Sequence, residues 1–398
     1  MRTTSSSSRL SIVVLIDALG WQFIKDREFL DDMLTYRQPL RTVLGFSSGA
    51  IPTILTGVPP AQHGHWNLFY YDPAGSPFRW LRHFQFLPKP MLDHRVTRKV
   101  LKEMGRRILG LGHMFECCVS PSLLPYFNWA EKRDLYTCGA ISGAPSIFDN
   151  LAKDCVPYRV YSDHSSTDRS VLDHAQRDLQ DCAAQFFFLY LREMDEFLHE
   201  HCTEGERLTE KVAWYAAALR KLFHVALKLD PQARLIIISD HGMTPVRQHY
   251  DLIQQVETLG LTMPQDYLAV YDSTMARFWF FNEPARREVV NLLSTLTCGR
   301  VLPDEELERM GVFFPDRRYG QVVMLLHAGW LLSRSNFNGP RWHPVGMHGY
   351  HPDDPYSDAI FLSNHEPKMP LDTISDVYRC MEAVAENQAD GYFNPNGR

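Results

Sequence analysis

The run Arg234-Leu-Ile-Ile-Ile-Ser-Asp-His-Gly-Met243 constrains this chain more than any other stretch. Its unbroken apolar centre reads as a strand buried on both faces, the pattern of a parallel sheet covered by helices on each side. The run ends in Asp240 and His241, and strand ends are where ligands bind in α/β sheets. A carboxylate beside an imidazole suits Zn²⁺ or Mn²⁺. One such pair alone also fits a purely structural turn.

Two further runs have the same form. Ser11-Ile-Val-Val-Leu-Ile-Asp17 ends in a carboxylate, and Phe186-Phe-Phe-Leu-Tyr-Leu191 leads into Asp195-Glu-Phe-Leu-His199. On a helix the Asp-x-x-x-His spacing puts both side chains about one turn apart, within reach of one ion. Three strand ends bearing carboxylate or imidazole groups describe one sheet edge arranged around metal.

Strand-like runs alternate with helical patterns, which predicts α/β architecture with a largely parallel sheet. Thr209–Leu229 reads as a helix, with Val212, Tyr215, Leu219, Leu222 and Phe223 at helical spacing. Two stretches break the alternation. Residues 71–132 are rich in aromatic, Pro and basic side chains, and residues 261–345 hold their own strand-like Met275–Phe281 and helix-like Glu283–Leu296. Both read as cap insertions, leaving a discontinuous core of 9–70, 133–260 and 346–386 and a loose polar tail of 387–398.

The chain is 45% hydrophobic and carries a net charge of -6, which argues against bulk nucleic-acid binding. No export-type leader and no span-length apolar run is evident, so a cytoplasmic location is expected. The eight cysteines form no C-x-x-C pair and read as reduced, small buried hydrophobes. Oligomeric state is not legible.

The segment Gly45-Phe-Ser-Ser-Gly-Ala-Ile-Pro-Thr-Ile-Leu-Thr-Gly57, followed by His63-Gly64, places hydroxyls at a loop-to-helix junction. Such a junction suits an alkoxide nucleophile beside a bound phosphate; a serine N-cap is the plainer reading. Either Ser47 or Ser48 fits. Together with Leu15-Ile-Asp17, Asp195-x-x-x-His199, Ser239-Asp-His-Gly-Met243 and His348-Gly-Tyr350, this ordered series resembles the alkaline phosphatase superfamily. Within it the match is to the nucleotide pyrophosphatase/type I phosphodiesterase branch.

That resemblance implies a three-layer α/β/α sandwich and two divalent metal ions, Zn²⁺ or Mn²⁺. It assigns Asp17, Ser47, Asp240 and His241 to one ion and Asp195, His199 and His348 to the other. The family's nucleophile precedes the Thr of its Thr-Gly pair by nine positions, which from Thr56 points to Ser47. It implies hydrolysis of a phosphodiester or pyrophosphate bond in a small phosphate ester or nucleotide, through a phosphoseryl intermediate. Asn67 matches the family's phosphoryl-binding Asn, one position early. The branch's Phe-Pro-Asn is here Ser48-Gly49-Ala50, which removes the usual nucleobase-stacking ring. The sulfatase signature is absent, and the long interval between His241 and His348 separates the chain from the phosphoglycerate mutases. Rival readings are a phosphomonoesterase or phosphonate hydrolase, a phosphotransferase, and a binding protein on a decayed scaffold.

Weaker signals remain. Arg79–Arg107 is strongly basic, and Val96, Val100, Leu101, Met104 and Ile108 form an apolar helical stripe. This reads either as a solvated face over core or as a contact for an anionic membrane. Trp66, Phe69, Tyr70 and Tyr71 either wall a pocket or pack in the core. His63, His65, His343, His351 and His365 read as surface or supporting histidines, and Asp353, Asp354 and Asp358 as a solvated loop.

Overall fold

The computed structural model describes residues 9–84, 94–108, 119–163, 166–181, 183–336 and 343–385. Its central sheet has six strands: β1 (Ser11–Ile16), β2 (Tyr36–Leu40), β3 (Tyr158–Tyr161), β4 (Phe186–Leu191), β5 (Arg234–Ile238) and β6 (Ala359–Ser363). Their spatial order is β2-β6-β5-β1-β4-β3. The pairs β1–β4, β1–β5 and β3–β4 are parallel, while β6 runs antiparallel to both β5 and β2. The sheet is therefore mixed, with a parallel heart.

The helices that matter below are α1 (Ser47–Thr56), α2 (Ile147–Lys153), α3 (Asp168–Gln180), α4 (Glu193–His201), α5 (Gly205–Leu229) and α6 (Val377–Ala385). Successive strand side chains point to opposite faces, so each apolar run feeds two cores. Ile12, Val14 and Ile16 pack with Leu172 and Leu179 of α3 and with Val212, Leu219 and Phe223 of α5. Val13 and Leu15 face Ile51, Ile54 and Leu55 of α1, Phe148 of α2 and Met381 of α6. This double burial is why the runs show no polar alternation and why three layers form.

The second cap stretch builds a four-stranded antiparallel sheet from Tyr267–Tyr271, Met275–Phe280, Gly299–Val301 and Val322–Leu326. Helix Glu283–Ser294 covers one face through Val289 and Leu293. The first stretch closes with Phe69–Tyr71 pairing antiparallel to Phe127–Trp129. Its Phe78, Leu101 and Trp129 share a core with Leu268 and Trp279 of the second stretch. Inside that shared core the fully buried Arg277 pairs with Asp272 at 2.7 Å and donates to the Phe69 carbonyl.

Several expectations are corrected. Cys138 and Cys155 are exposed; Cys202, Cys298 and Cys380 are the buried ones, and Cys117, Cys118 and Cys182 lie outside the described residues, as does the tail. The apolar stripe is split. Leu101 is buried and Met104 packs on the cap core, whereas Val96 and Val100 are 62% and 58% exposed. The physical reason is an apolar arc wider than the core beneath it. Trp66 and Phe69 are core residues; Tyr70 and Tyr71 are half-buried. Of the two readings of His63 and His65, burial leaves the supporting one, while Asp354 accepts from Thr244 at 2.6 Å instead of facing only solvent. Among the described residues no helix is long and apolar enough to cross a membrane.

Candidate active site

Strand register explains why distant ligands meet. Ile16 of β1 pairs with Leu191 of β4, and Leu15 with Ile238 of β5. The residues just beyond emerge side by side at the C-terminal edge of three adjacent parallel strands. Asp17 follows β1 directly, Asp240 and His241 follow β5, and Asp195 and His199 stand one turn apart on α4. His348 arrives by another route. Gly346–Met347 pairs antiparallel with Thr244–Pro245, drawing in a residue 348 − 241 = 107 positions away. Thr274, between two cap strands, holds that loop by donating to the Gly349 carbonyl at 2.9 Å.

The result is one cluster. His241 Nε2 lies 3.0 Å from Ser47 Oγ, 3.2 Å from Asp240 Oδ2 and 3.7 Å from Asp17 Oδ1. Asp195 faces His199 Nε2 at 3.3 Å and His348 Nε2 at 3.5 Å. The rings of His241 and His348 stack with centroids 3.9 Å apart. Ser48 is excluded from this centre, because its hydroxyl donates to the Trp66 carbonyl at 3.3 Å. Ser47 begins α1, whose N-cap Phe46 has an extended backbone and no capping side chain, so no N-cap side chain competes for the first amides of the helix.

The residues fit a pair of divalent cations. Asp17 Oδ1, Asp195 Oδ1 and Asp240 Oδ2 are buried without a hydrogen-bond partner, an arrangement costly for a carboxylate unless something positive faces it. Each is an oxygen turned toward a histidine Nε2. The carbonyls of Gly242 and Gly346 can only accept, so His241 Nδ1 and His199 Nδ1 donate to them, at 2.9 and 2.8 Å. That leaves the Nε2 lone pairs for a metal. Donor atoms lie within 4.8 Å of one another in two groups, Asp195/His199/His348 and Asp17/Asp195/His241. By distance Asp195 belongs to both groups, whereas the resemblance gave it to one.

Electrostatics agree. Burial, then the charges of Asp240 and Asp195, push the Asp17 carboxyl well above its usual range, against a hydrogen bond from Tyr190. Burial also raises Asp195, but His199, then His348 and His241, outweigh it and hold the carboxyl low. Burial and the neighbouring His241 push His348 well below the usual imidazole value. An imidazole held low beside crowded carboxylates is a setting that suits a cation.

Asn67 is placed less tidily. It is fully buried next to Trp66; its Nδ2 contacts Met275 Sδ at 3.6 Å and its Oδ1 has no partner. Sequence reasoning missed Tyr190, which donates to Asp17 Oδ2 at 2.5 Å, and Thr42, which donates to the Asp240 carbonyl at 2.7 Å. The one hydroxyl within the Phe186–Leu191 run was the available signal for Tyr190.

Two glycines let the ligand loops touch. A Cβ on Gly20 would meet Gly242 Cα at 2.6 Å, and one on Gly242 would meet the Tyr356 carbonyl at 2.2 Å. Backbone blocks both, so Gly242→Ala is expected to cost about 2–4 kcal/mol of stability and to impair turnover. Unchanged melting and activity would contradict this packing.

An α/β sandwich carrying a buried carboxylate–imidazole cluster and a hydroxyl at its strand ends defines a metallohydrolase scaffold. Residues 11–351 match the family model "Type I phosphodiesterase / nucleotide pyrophosphatase", and the chain belongs to that family; it is a phosphoric ester hydrolase. Among solved structures it resembles murine ectonucleotide pyrophosphatase/phosphodiesterase 5, with 17% identity, 97% of each chain covered and a TM-score of 0.67. The human counterpart gives 14% identity, 97% and 96% coverage and a TM-score of 0.67. An inactive variant of the murine protein in complex with AMP gives 18% identity, 97% coverage of each chain and a TM-score of 0.65. No curated protein matches the chain.

Proposed function

We propose that the chain hydrolyses phosphodiester or pyrophosphate bonds of small substrates, nucleotides among them, with Ser47 as nucleophile and two divalent ions, Zn²⁺ or Mn²⁺, as cofactors. The observation that carries this is Ser47 Oγ, 3.0 Å from His241 Nε2 at the start of α1, inside a set of seven convergent donors. Bound there, the ions supply Lewis-acid activation of the attacking and leaving oxygens. Ser47 Oγ gives up its proton to solvent and forms the new bond to phosphorus as the ester bond breaks and the leaving oxygen takes a proton from water. A second water then attacks phosphorus, cleaving the phosphoseryl bond, and Ser47 Oγ regains a proton. The α1 amides favour the phosphoryl charge throughout. Asn67, held only by a weak sulfur contact, turns its amide to a phosphoryl oxygen.

A panel of p-nitrophenyl mono- and diesters, dinucleotides and nucleotide sugars with Zn²⁺ or Mn²⁺ tests this. Diester or pyrophosphate cleavage should dominate. Faster phosphate release from monoesters or phosphonates, or product transfer to added alcohols, would favour the rival enzymes instead.

Contact with an anionic membrane through the basic cap segment belongs to the same proposal. Val96, Val100, Trp80 and Phe84 are exposed beside Arg79, Arg82 and Lys99, a mixture suited to an interface of lipid and water. The protein is expected to float with anionic vesicles and Val96→Asp/Val100→Asp to stay behind. Failure of the parent protein to float removes this part.

A further inference from the structure

The helix that presents Asp195 and His199 has no cap of its own. At its N-cap Arg192 has φ -93° and ψ -21° and offers no side-chain acceptor to the first turn. The acceptor comes from Asp168, 24 positions earlier. Asp168 Oδ1 accepts from Arg192 N at 3.0 Å and Oδ2 from Glu193 N at 3.2 Å. Glu193 Oε1 accepts in return from Asp168 N at 3.2 Å, at the start of α3. The two helices thus cap each other.

From α5, the Tyr215 hydroxyl donates to Asp168 Oδ2, and Lys211 Nζ lies 3.6 Å from Glu193 Oε2. Asp168 is only 1% exposed. A carboxylate at a helix start is favoured by the orphan amides and the dipole there, and this one is clamped by a third helix. Asp195 lies in that first turn. With Cα atoms about 2.3 Å from the helix axis, a rotation of about 20° moves a Cα by about 0.8 Å. Metal–ligand distances tolerate only about 0.2 Å.

We propose that Asp168 is a positioning residue that sets the rotational register of α4, so that ion affinity depends on a carboxylate touching none of the seven donors. The proposal rests on the two-ion reading. It is tested by stripping the protein with a chelator and titrating Zn²⁺ by calorimetry, with bound metal counted and melting followed in parallel. In Asp168→Ala the ion held by Asp195, His199 and His348 should bind at least about tenfold more weakly, and Asp168→Asn, which keeps an acceptor, should recover most of the loss. Asp168→Ala taking up both ions with unchanged midpoints overturns the proposal, whatever happens to its melting temperature. Should that variant not melt cooperatively, Tyr215→Phe decides, because it leaves the cap but removes the clamp. Weaker Zn²⁺ binding supports the proposal, and unchanged midpoints overturn it. Parent protein that takes up no divalent ion sinks the two-ion reading itself and this proposal with it; two ions bound normally in both proteins sink this proposal alone.

Discussion

Ser47→Ala is expected to lower diester turnover by about a thousandfold or more while Zn²⁺ uptake persists through the remaining Asp and His donors. The expectation comes from position. Ser47 Oγ is the hydroxyl that reaches His241 Nε2, and Ser48 is turned away onto the Trp66 carbonyl. Ser48→Ala should therefore stay within a few-fold of the parent. Turnover and metal content measured on both variants separate a nucleophile from a ligand. Full activity in Ser47→Ala would remove the serine mechanism.

Asp17→Asn is expected to raise the melting temperature of the metal-free protein by several degrees and to abolish the stabilisation that Zn²⁺ confers. Asp17 is buried against Asp240 and Asp195, so its carboxyl titrates well above the usual range. A folded-state pKa raised in this way gives stability that is complete below the unfolded value and is lost as pH rises through the folded one. The metal-free parent should accordingly gain stability on mild acidification from that group, opposite to an ordinary surface carboxylate. Ions reverse the penalty: at about a hundredfold excess over Kd, one site adds about 2.7 kcal/mol. Calorimetric melting with chelator and with Zn²⁺ checks both arms. A lower metal-free melting temperature in Asp17→Asn would show that the carboxylates are not in conflict.

Much of the core was legible because its physics is local. Phe186–Leu191 forms a strand with the expected ends, and Arg234–Ile238 stops just short of Asp240. The Asp195–His199 pair needed only helical periodicity, and the pair stands 3.3 Å apart. The predicted Thr209–Leu229 helix begins four residues sooner, at Gly205, because Glu204 makes no side-chain cap and the exposed first turn, Gly205–Arg207, carries no apolar residue to mark it. The cap was harder. A stripe of Val96, Val100, Leu101 and Met104 does not say how much of itself finds a partner, and only packing shows that the valines do not.

By itself the order of residues determined which strands would be doubly buried and which of them would end in carboxylate or imidazole, since both depend on composition within a few positions. The tertiary structure decided what local order cannot express: that β5, β1 and β4 lie adjacent and in register, that Gly346–Met347 brings His348 back to Thr244, and that Asp168 caps a helix from 24 positions away. Such contacts are set by sheet order and by buried polar groups seeking partners, and neither leaves a periodic trace along the chain.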